Sequence, residues 1–302
     1  MNTAIFHFVG GDAFFSGFIA VAVGAALIWK TTGKLHRIGA ALILFGWLFV
    51  IASATALPKI QYVCLGLISL RVAIGNLRKS PSGSIEAAPK TNQDTNPAYS
   101  PTRWCPTLLV VSIGTVCFEF GSYHPTRIPV SRELPIVVIG DSLSAGINDG
   151  VDIPWPTRLD EIASVTVSNH AQAGATCRSA IKQLDDLPKQ CVVVVEIGGN
   201  DLLGGRSAAE FRADLDRLLT KVQSSEREVV MFELPLPPLF HGYGYGQREL
   251  ADENNVGLIP RRLLASILFS EDATVDSIHL SNDGHQRLAE RVASFLSLDN
   301  QK

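Results

Sequence analysis

Three residues of this chain have the types and settings that nucleophilic cleavage of an acyl group requires. Ser142 lies in Gly140-Asp141-Ser142-Leu143-Ser144-Ala145-Gly146, directly after the apolar run 136–139. A serine hydroxyl is a weak nucleophile until a base takes its proton, and His279 can do so near neutral pH. Asp276, three residues earlier, can accept the other ring N–H, fixing the tautomer and stabilising the cation that forms. The oxyanion then needs donors. Backbone N–H groups of Ser142 and Gly174 and the side-chain amide of Asn200 would supply three, each worth about 3–4 kcal/mol. Taken alone, the glycine-flanked serine reads equally well as a turn after a strand, so its partners decide.

The elements that must position these groups alternate from residue 134 onward. Strands are expected at 136–139, 165–168, 192–197, 229–234 and 256–259, and helices at 155–163, 176–187, 208–223, 247–255 and 282–298. The apolar strand runs read as a parallel sheet buried on both faces, and repeated βα units imply helices on either side. In such a sheet the carboxyl ends of the strands share one edge, where open α/β sheets place their sites. Ser142, Gly174 and Asn200 follow the first three strands and can converge there. The Asp276–His279 loop must approach the same edge for catalysis.

The front half of the chain is different in kind. Up to Arg132 it carries 11 Lys and Arg against 4 Asp and Glu; from Glu133 on the count is 15 against 25. A basic, apolar front and an acidic back point to a membrane anchor, residues 1–79, joined to a soluble domain at 133–299. Residues 13–29 and 38–57 carry no charge and match the hydrocarbon core in length. Residues 60–77, interrupted by Arg71, and 104–123, containing Glu119, are weaker candidates. Lys30, Lys34 and Arg37 favour the cytoplasmic side, as do Arg78, Lys79, Lys90 and Arg103. Four spans satisfy both loops and place the domain on the outer, periplasmic or extracellular, side. If 104–123 does not cross, the domain is cytoplasmic. Residues 80–103, rich in Pro, Ser, Asn and Thr, read as a flexible polar linker.

Four blocks carry a family resemblance: GDSLSAG at 140–146, NHAQAG at 169–174, GGND at 198–201 and DSIH at 276–279. In this order they resemble the SGNH (GDSL) hydrolase superfamily, and GDSLSAG with VEIGGNDLL is most similar to its thioesterase I/lysophospholipase L1 and arylesterase branch. The resemblance covers about 134–298. It implies a flavodoxin-like α/β/α sandwich, Ser142 as nucleophile, Gly174 and Asn200 in the oxyanion hole, and Asp276 with His279 completing the triad. Leu280 stands where the branch often has Pro.

The function expected is a membrane-anchored serine esterase or thioesterase working through an acyl-enzyme, with lysophospholipids among its candidate substrates. Deacetylation or acyl transfer on cell-envelope glycans is the alternative, and an inactive hydrolase-like receptor or scaffold the reading from another class. Residues 235–246 (PLPPLFHGYGYG) are expected to line or gate the acyl pocket, with Leu143, Leu239, His241 and Tyr243 as candidate substrate contacts. His285 is expected at the surface or as a cap, His170 in a structural hydrogen bond, Asp141 and Asp201 as loop anchors, and Trp155 in the core. Cys177 and Cys191 read as a disulfide in an oxidising compartment or as two buried thiols. No Cys/His spacing suggests a metal, no cofactor is implied, and an acidic domain without basic clusters argues against nucleic acid.

Overall fold

The computed structural model describes residues 3–77, 101–123, 127–147, 153–276 and 278–299. The expected linker 80–103 lies outside them except at its last three positions. The chain divides into two compact units: residues 13–52 with 57–120, and residues 1–12 with 53–56 and 121–302.

The first unit is helical. After the short α1 (Thr3–Val9), which belongs to the other unit, come α2 (Asp12–Lys30), α3 (Lys34–Ala52), α4 (Lys59–Leu77) and α5 (Cys105–Tyr123). Each of the last four has 19 residues, about 28 Å of helix. Asp12–Lys30, Lys34–Ala52 and Thr102–Ser122 are long and apolar enough to cross a membrane. Among the described helices α4 is as long but more polar, with Lys59, Gln61 and Arg71; the Arg71 guanidinium stands 5.6 Å from the Trp104 ring. Glycines let α2 and α3 touch: a Cβ on Gly17 would lie 2.6 Å from Gly46 O, and one on Gly24 2.5 Å from Gly39 O. Such small-residue contacts are how helices pack where water supplies no driving force. The span expected at 38–57 ends at Ala52, because Ala54 turns the backbone to φ 48° ahead of Pro58.

The second unit holds a five-stranded parallel sheet in the order β2-β1-β3-β4-β5. The strands are β1 (Ile136–Gly140), β2 (Val167–Asn169), β3 (Cys191–Glu196), β4 (Arg227–Phe232) and β5 (Gly257–Ile259). Side chains alternate between two cores, as a pleated strand requires. Val137, Ile139, Val193 and Val195 face one core with Phe211 and Leu215; Ile136, Val138, Val192 and Val194 face the other with Trp155, Leu288 and Val292. The first core is covered by α8 (Cys177–Ala180), α10 (Ala208–Val222) and α11 (His241–Glu253); the second by α7 (Trp155–Ala163), α12 (Arg261–Leu268) and α13 (Asn282–Phe295). Two four- and five-residue helices, α6 (Ser142–Ala145) and α9 (Gly199–Leu203), follow β1 and β3. Strand order reverses between β1 and β3, and the crevice outside their carboxyl ends is where this topology places a ligand.

Three local expectations change. The helix expected at 176–187 is α8 followed by a 3-10 turn, Ile181–Leu184, stopped by Asp186 at φ 61° and Pro188. The helix expected at 247–255 begins at His241, so half of the glycine-aromatic stretch is helical. Its glycines are packing positions: a Cβ on Gly242 would meet Ala208 at 3.1 Å, and one on Gly246 would meet Arg212 at 3.4 Å. Helix α12 had no counterpart in the sequence reading.

Candidate active site

Ser142 opens α6 two residues past the end of β1, and the turn around it is fixed from below. Gly140 exchanges two hydrogen bonds with the Gln183 amide, both at 2.9 Å. A Cβ on Gly140 would lie 2.8 Å from Ser144 Oγ and 2.9 Å from Glu196 O, so only glycine allows β1 to end this close to β3. Asp141 caps α6, its Oδ1 accepting Leu143 N–H at 3.0 Å. Ser144 Oγ donates to Glu196 Oε2 at 2.9 Å and accepts Trp155 Nε1–H at 3.1 Å. Glu196 also accepts the Asp141 backbone N–H.

Two carboxyl groups are therefore buried beneath the serine. Burial, then the neighbouring Asp141, pushes Glu196 well above the usual carboxylate range. Burial likewise raises Asp141 to about 6, against bonds from Leu143 and Asn200 and the nearby charge of His279. Glu196 is thereby biased toward its protonated form, and its bonds to Ser144 and Asp141 clamp the turn. It escaped the sequence reading, although an acidic residue ending the buried run CVVVVE was the available signal.

The oxyanion donors are placed as follows. Ser142 N–H stands at the first helical position, where a donor has no intrahelical partner, and no described hydrogen bond uses it. Gly174 sits in the turn closed by Ala175 N–H to Gln172 O at 3.1 Å, at φ 76°. That left-handed backbone is what selects glycine; a Cβ would find no neighbour within 4 Å. No described hydrogen bond uses the Gly174 N–H. Asn200 differs: its Nδ2 donates to Asp141 Oδ2 at 3.1 Å and to Ala175 O at 3.0 Å, so both its hydrogens are engaged. Asp201 holds the oxyanion loop, accepting Cys177 N–H at 2.8 Å and lying 3.7 Å from Arg206 Nε.

His279 and Asp276 form a self-contained loop, pinned by an antiparallel bridge between Thr274 and Leu280. Asp276 Oδ2 lies 2.7 Å from His279 Nδ1, and its Oδ1 accepts the backbone N–H groups of His279 at 2.8 Å and Ile278 at 3.1 Å. These bonds hold the Asp276 carboxyl down at about 2. With Nδ1–H donating to Asp276, Nε2 is left as the acceptor. The charge of His279 acts on the Asp141 carboxyl, next to Ser142 in sequence. Among the described residues no hydrogen bond joins Ser142 Oγ to His279; such bonds often close only with substrate in place.

The substrate contacts expected from sequence separate. Leu143 is half-buried against the second core, Leu239 is exposed, and His241 is half-buried at the start of α11. Tyr243 is buried rather than turned toward solvent: it stacks 4.3 Å from Phe211, and its hydroxyl donates to Arg206 O at 2.6 Å. His285 is buried rather than at the surface, its Nδ1 accepting Trp155 N–H at 3.3 Å. His170 makes a structural bond to Gln183 O at 2.9 Å. Cys177 and Cys191 are buried free thiols.

Residues 138–287 match the GDSL-like Lipase/Acylhydrolase family. The chain is 29% identical over 179 residues to an arylesterase of Vibrio mimicus, across 53% of this chain and 87% of that protein. It is 28% identical over 176 residues to thioesterase 1/protease 1/lysophospholipase L1 of Escherichia coli, across 53% of this chain and 82% of that one. A crystal structure of TesA aligns with a TM-score of 0.49 at 25% identity, covering 54% of this chain and 99% of the other.

Proposed function

We propose, for a chain whose C-terminal half carries an ester-cleaving serine hydrolase domain of the SGNH (GDSL) type, that Ser142, His279 and Asp276 perform the reaction through an acyl-enzyme. His279 Nε2 takes the hydroxyl proton as Ser142 Oγ attacks the carbonyl carbon. The oxyanion is met by the N–H groups of Ser142 and Gly174 and by Asn200 once one of its amide hydrogens is released. His279 returns the proton to the departing alcohol or thiol, and water repeats the sequence to free the acid. The observation that carries this reading is the 2.7 Å Asp276–His279 bond on the edge where Ser142 leaves β1.

The substrates are acyl esters or thioesters, lysophospholipids included, and the chain is membrane-anchored. Three apolar helices support the anchor; the distribution of Lys and Arg favours a fourth span through α4, with the hydrolase domain on the outer side. A fluorophosphonate probe tests the nucleophile: wild type is labelled, and Ser142→Ala loses labelling and roughly 10⁵-fold in kcat on p-nitrophenyl esters. Equal labelling of the two proteins would remove Ser142 from the mechanism. A wild type that deacetylates glycan and leaves acyl esters untouched would replace the lipid reading.

A further inference from the structure

The carboxyl edge of the sheet carries an apolar collar as well as the candidate site. Apart from Ile5, the large apolar side chains described as exposed in this unit lie at that edge, in its loops and at the end of the short α9. They are Ile147 and Ile153 after β1, Leu203 after β3, Leu239 and Phe240 after β4, and two in the His279 loop. Apolar side chains gathered around a polar site mark a surface that meets an apolar partner. Leu239 is the most telling. It is 65% exposed in left-handed backbone at φ 74°, a conformation that disfavours leucine. Pro235, Pro237 and Pro238 stiffen the stretch that presents it.

A second observation, independent of the collar, ties this edge to segments that lead straight into apolar helices. Residues 53–56 follow α3 without a break, yet they belong to the same compact unit as the sheet. Ala54 is fully buried in the first core. Arg261 begins α12 just beyond β5, at the carboxyl edge. Its Nη1 donates to Ser53 O at 3.0 Å and Ala54 O at 3.1 Å, and its Nη2 to Thr55 Oγ1 at 3.2 Å. Gly11 packs on the same guanidinium, where a Cβ would stand 2.7 Å from Nη2, and Asp12 pairs with Arg262. The edge that holds the candidate site is thus tied to two positions continuous in the chain with helices apolar enough to enter a bilayer.

We infer that this edge, through its apolar collar, docks on a lipid bilayer surface, so that esters reach Ser142 from the membrane interface rather than from bulk water. The inference rests on the hydrolase reading and names how its substrates are presented. The test uses the full chain in phosphatidylcholine vesicles and two esters of one acyl group, p-nitrophenyl butyrate in water and hexadecyl butyrate in the bilayer. Replacing Leu203 and Ile153 together by Glu removes two apolar side chains from the collar and should lower kcat/KM for the bilayer ester about tenfold, leaving the soluble ester within about twofold. Leu203→Trp should leave the bilayer rate unchanged or raise it, which a folding defect would not do. Both rates unchanged in the Glu variant, or both falling in parallel, would overturn the docking. So would a wild type that cleaves only the soluble ester, with the hydrolase reading intact. A wild type that cleaves neither ester removes the hydrolase reading and the docking with it.

Discussion

Asp141 and Asp276 each stand within three residues of a group assigned to the reaction, and their surroundings move them in opposite directions. Asp141 is buried under the Ser142 turn, where desolvation lifts it to about 6. Asp276 is about half exposed and is held at about 2 by three N–H donors of its own loop. The serine is therefore oriented by the core of the domain, through Gln183, Glu196, Ser144 and Trp155. The imidazole is oriented, among the described residues, by the Asp276 carboxylate of its own loop, which the Thr274–Leu280 bridge closes. The proposed nucleophile thus leans on the core of the domain, and the proposed base on a short half-exposed loop.

If that contrast is right, the exposed loop concentrates the larger catalytic effect. Asp276→Asn should cut kcat about 10³-fold, a far larger effect than the modest drop in urea midpoint at pH 7 that follows from weakening the bonds to a half-exposed carboxylate; a loss confined to stability would break the distinction. The buried side should respond in stability instead. Glu196→Ala strands the Asp141 N–H and the Ser144 hydroxyl, and should cost about 3 kcal/mol in urea unfolding. Glu196→Gln, which copies the neutral acid, should stay within about 1 kcal/mol. Equal losses in the two variants would mean that Glu196 is ionised.

A smaller effect lies in pH. Asp141 has a folded value above its ordinary value near 3.8, so its folded state binds the proton more tightly. Its favourable contribution is complete below about 4 and is lost as pH rises to about 6. Asp276 works in reverse: its contribution is present above about 4 and disappears as pH falls toward 2. Unfolding free energies measured from pH 3 to 7 should lose the first slope in Asp141→Asn and keep it in Asp276→Asn. The smallest change is Tyr243→Phe, expected to cost about 1 kcal/mol by freeing Arg206 O without altering kcat/KM. A change in KM would return Tyr243 to the substrate pocket.

Much of the edge could be read from residues because local patterns encode it. Apolar runs of four and five residues, closed by Gly140 in the first case and by Glu196, Ile197 and Gly198 in the second, mark β1 and β3, and the residues just past them fall at the switch point of the sheet. What the pattern missed depends on distant partners. Residues 241–246 look like a loop because glycine disfavours helix, yet contact with Ala208 and Arg212 favours small residues there. Glu196 looks like an ordinary strand end until the turn above it supplies a hydroxyl and an N–H. The Asn200 amide was expected to face substrate, and its bond to Asp141 appears only when β1 and β3 lie side by side. Helix α12 is short, and Arg261 at its start gives no local hint of the carbonyls it binds.

The contact between Arg261 and Ser53 also sets an order in time. Its partners are 208 positions apart, so Ser53, Ala54 and Thr55 are synthesised long before the guanidinium that binds their oxygens exists. Closing so long a loop carries an entropy cost of a few kcal/mol, which favours forming the sheet and α12 first. A segment made well before its partner is then among the last to be fixed, and the domain is complete only when α12 has closed back on residues 53–55.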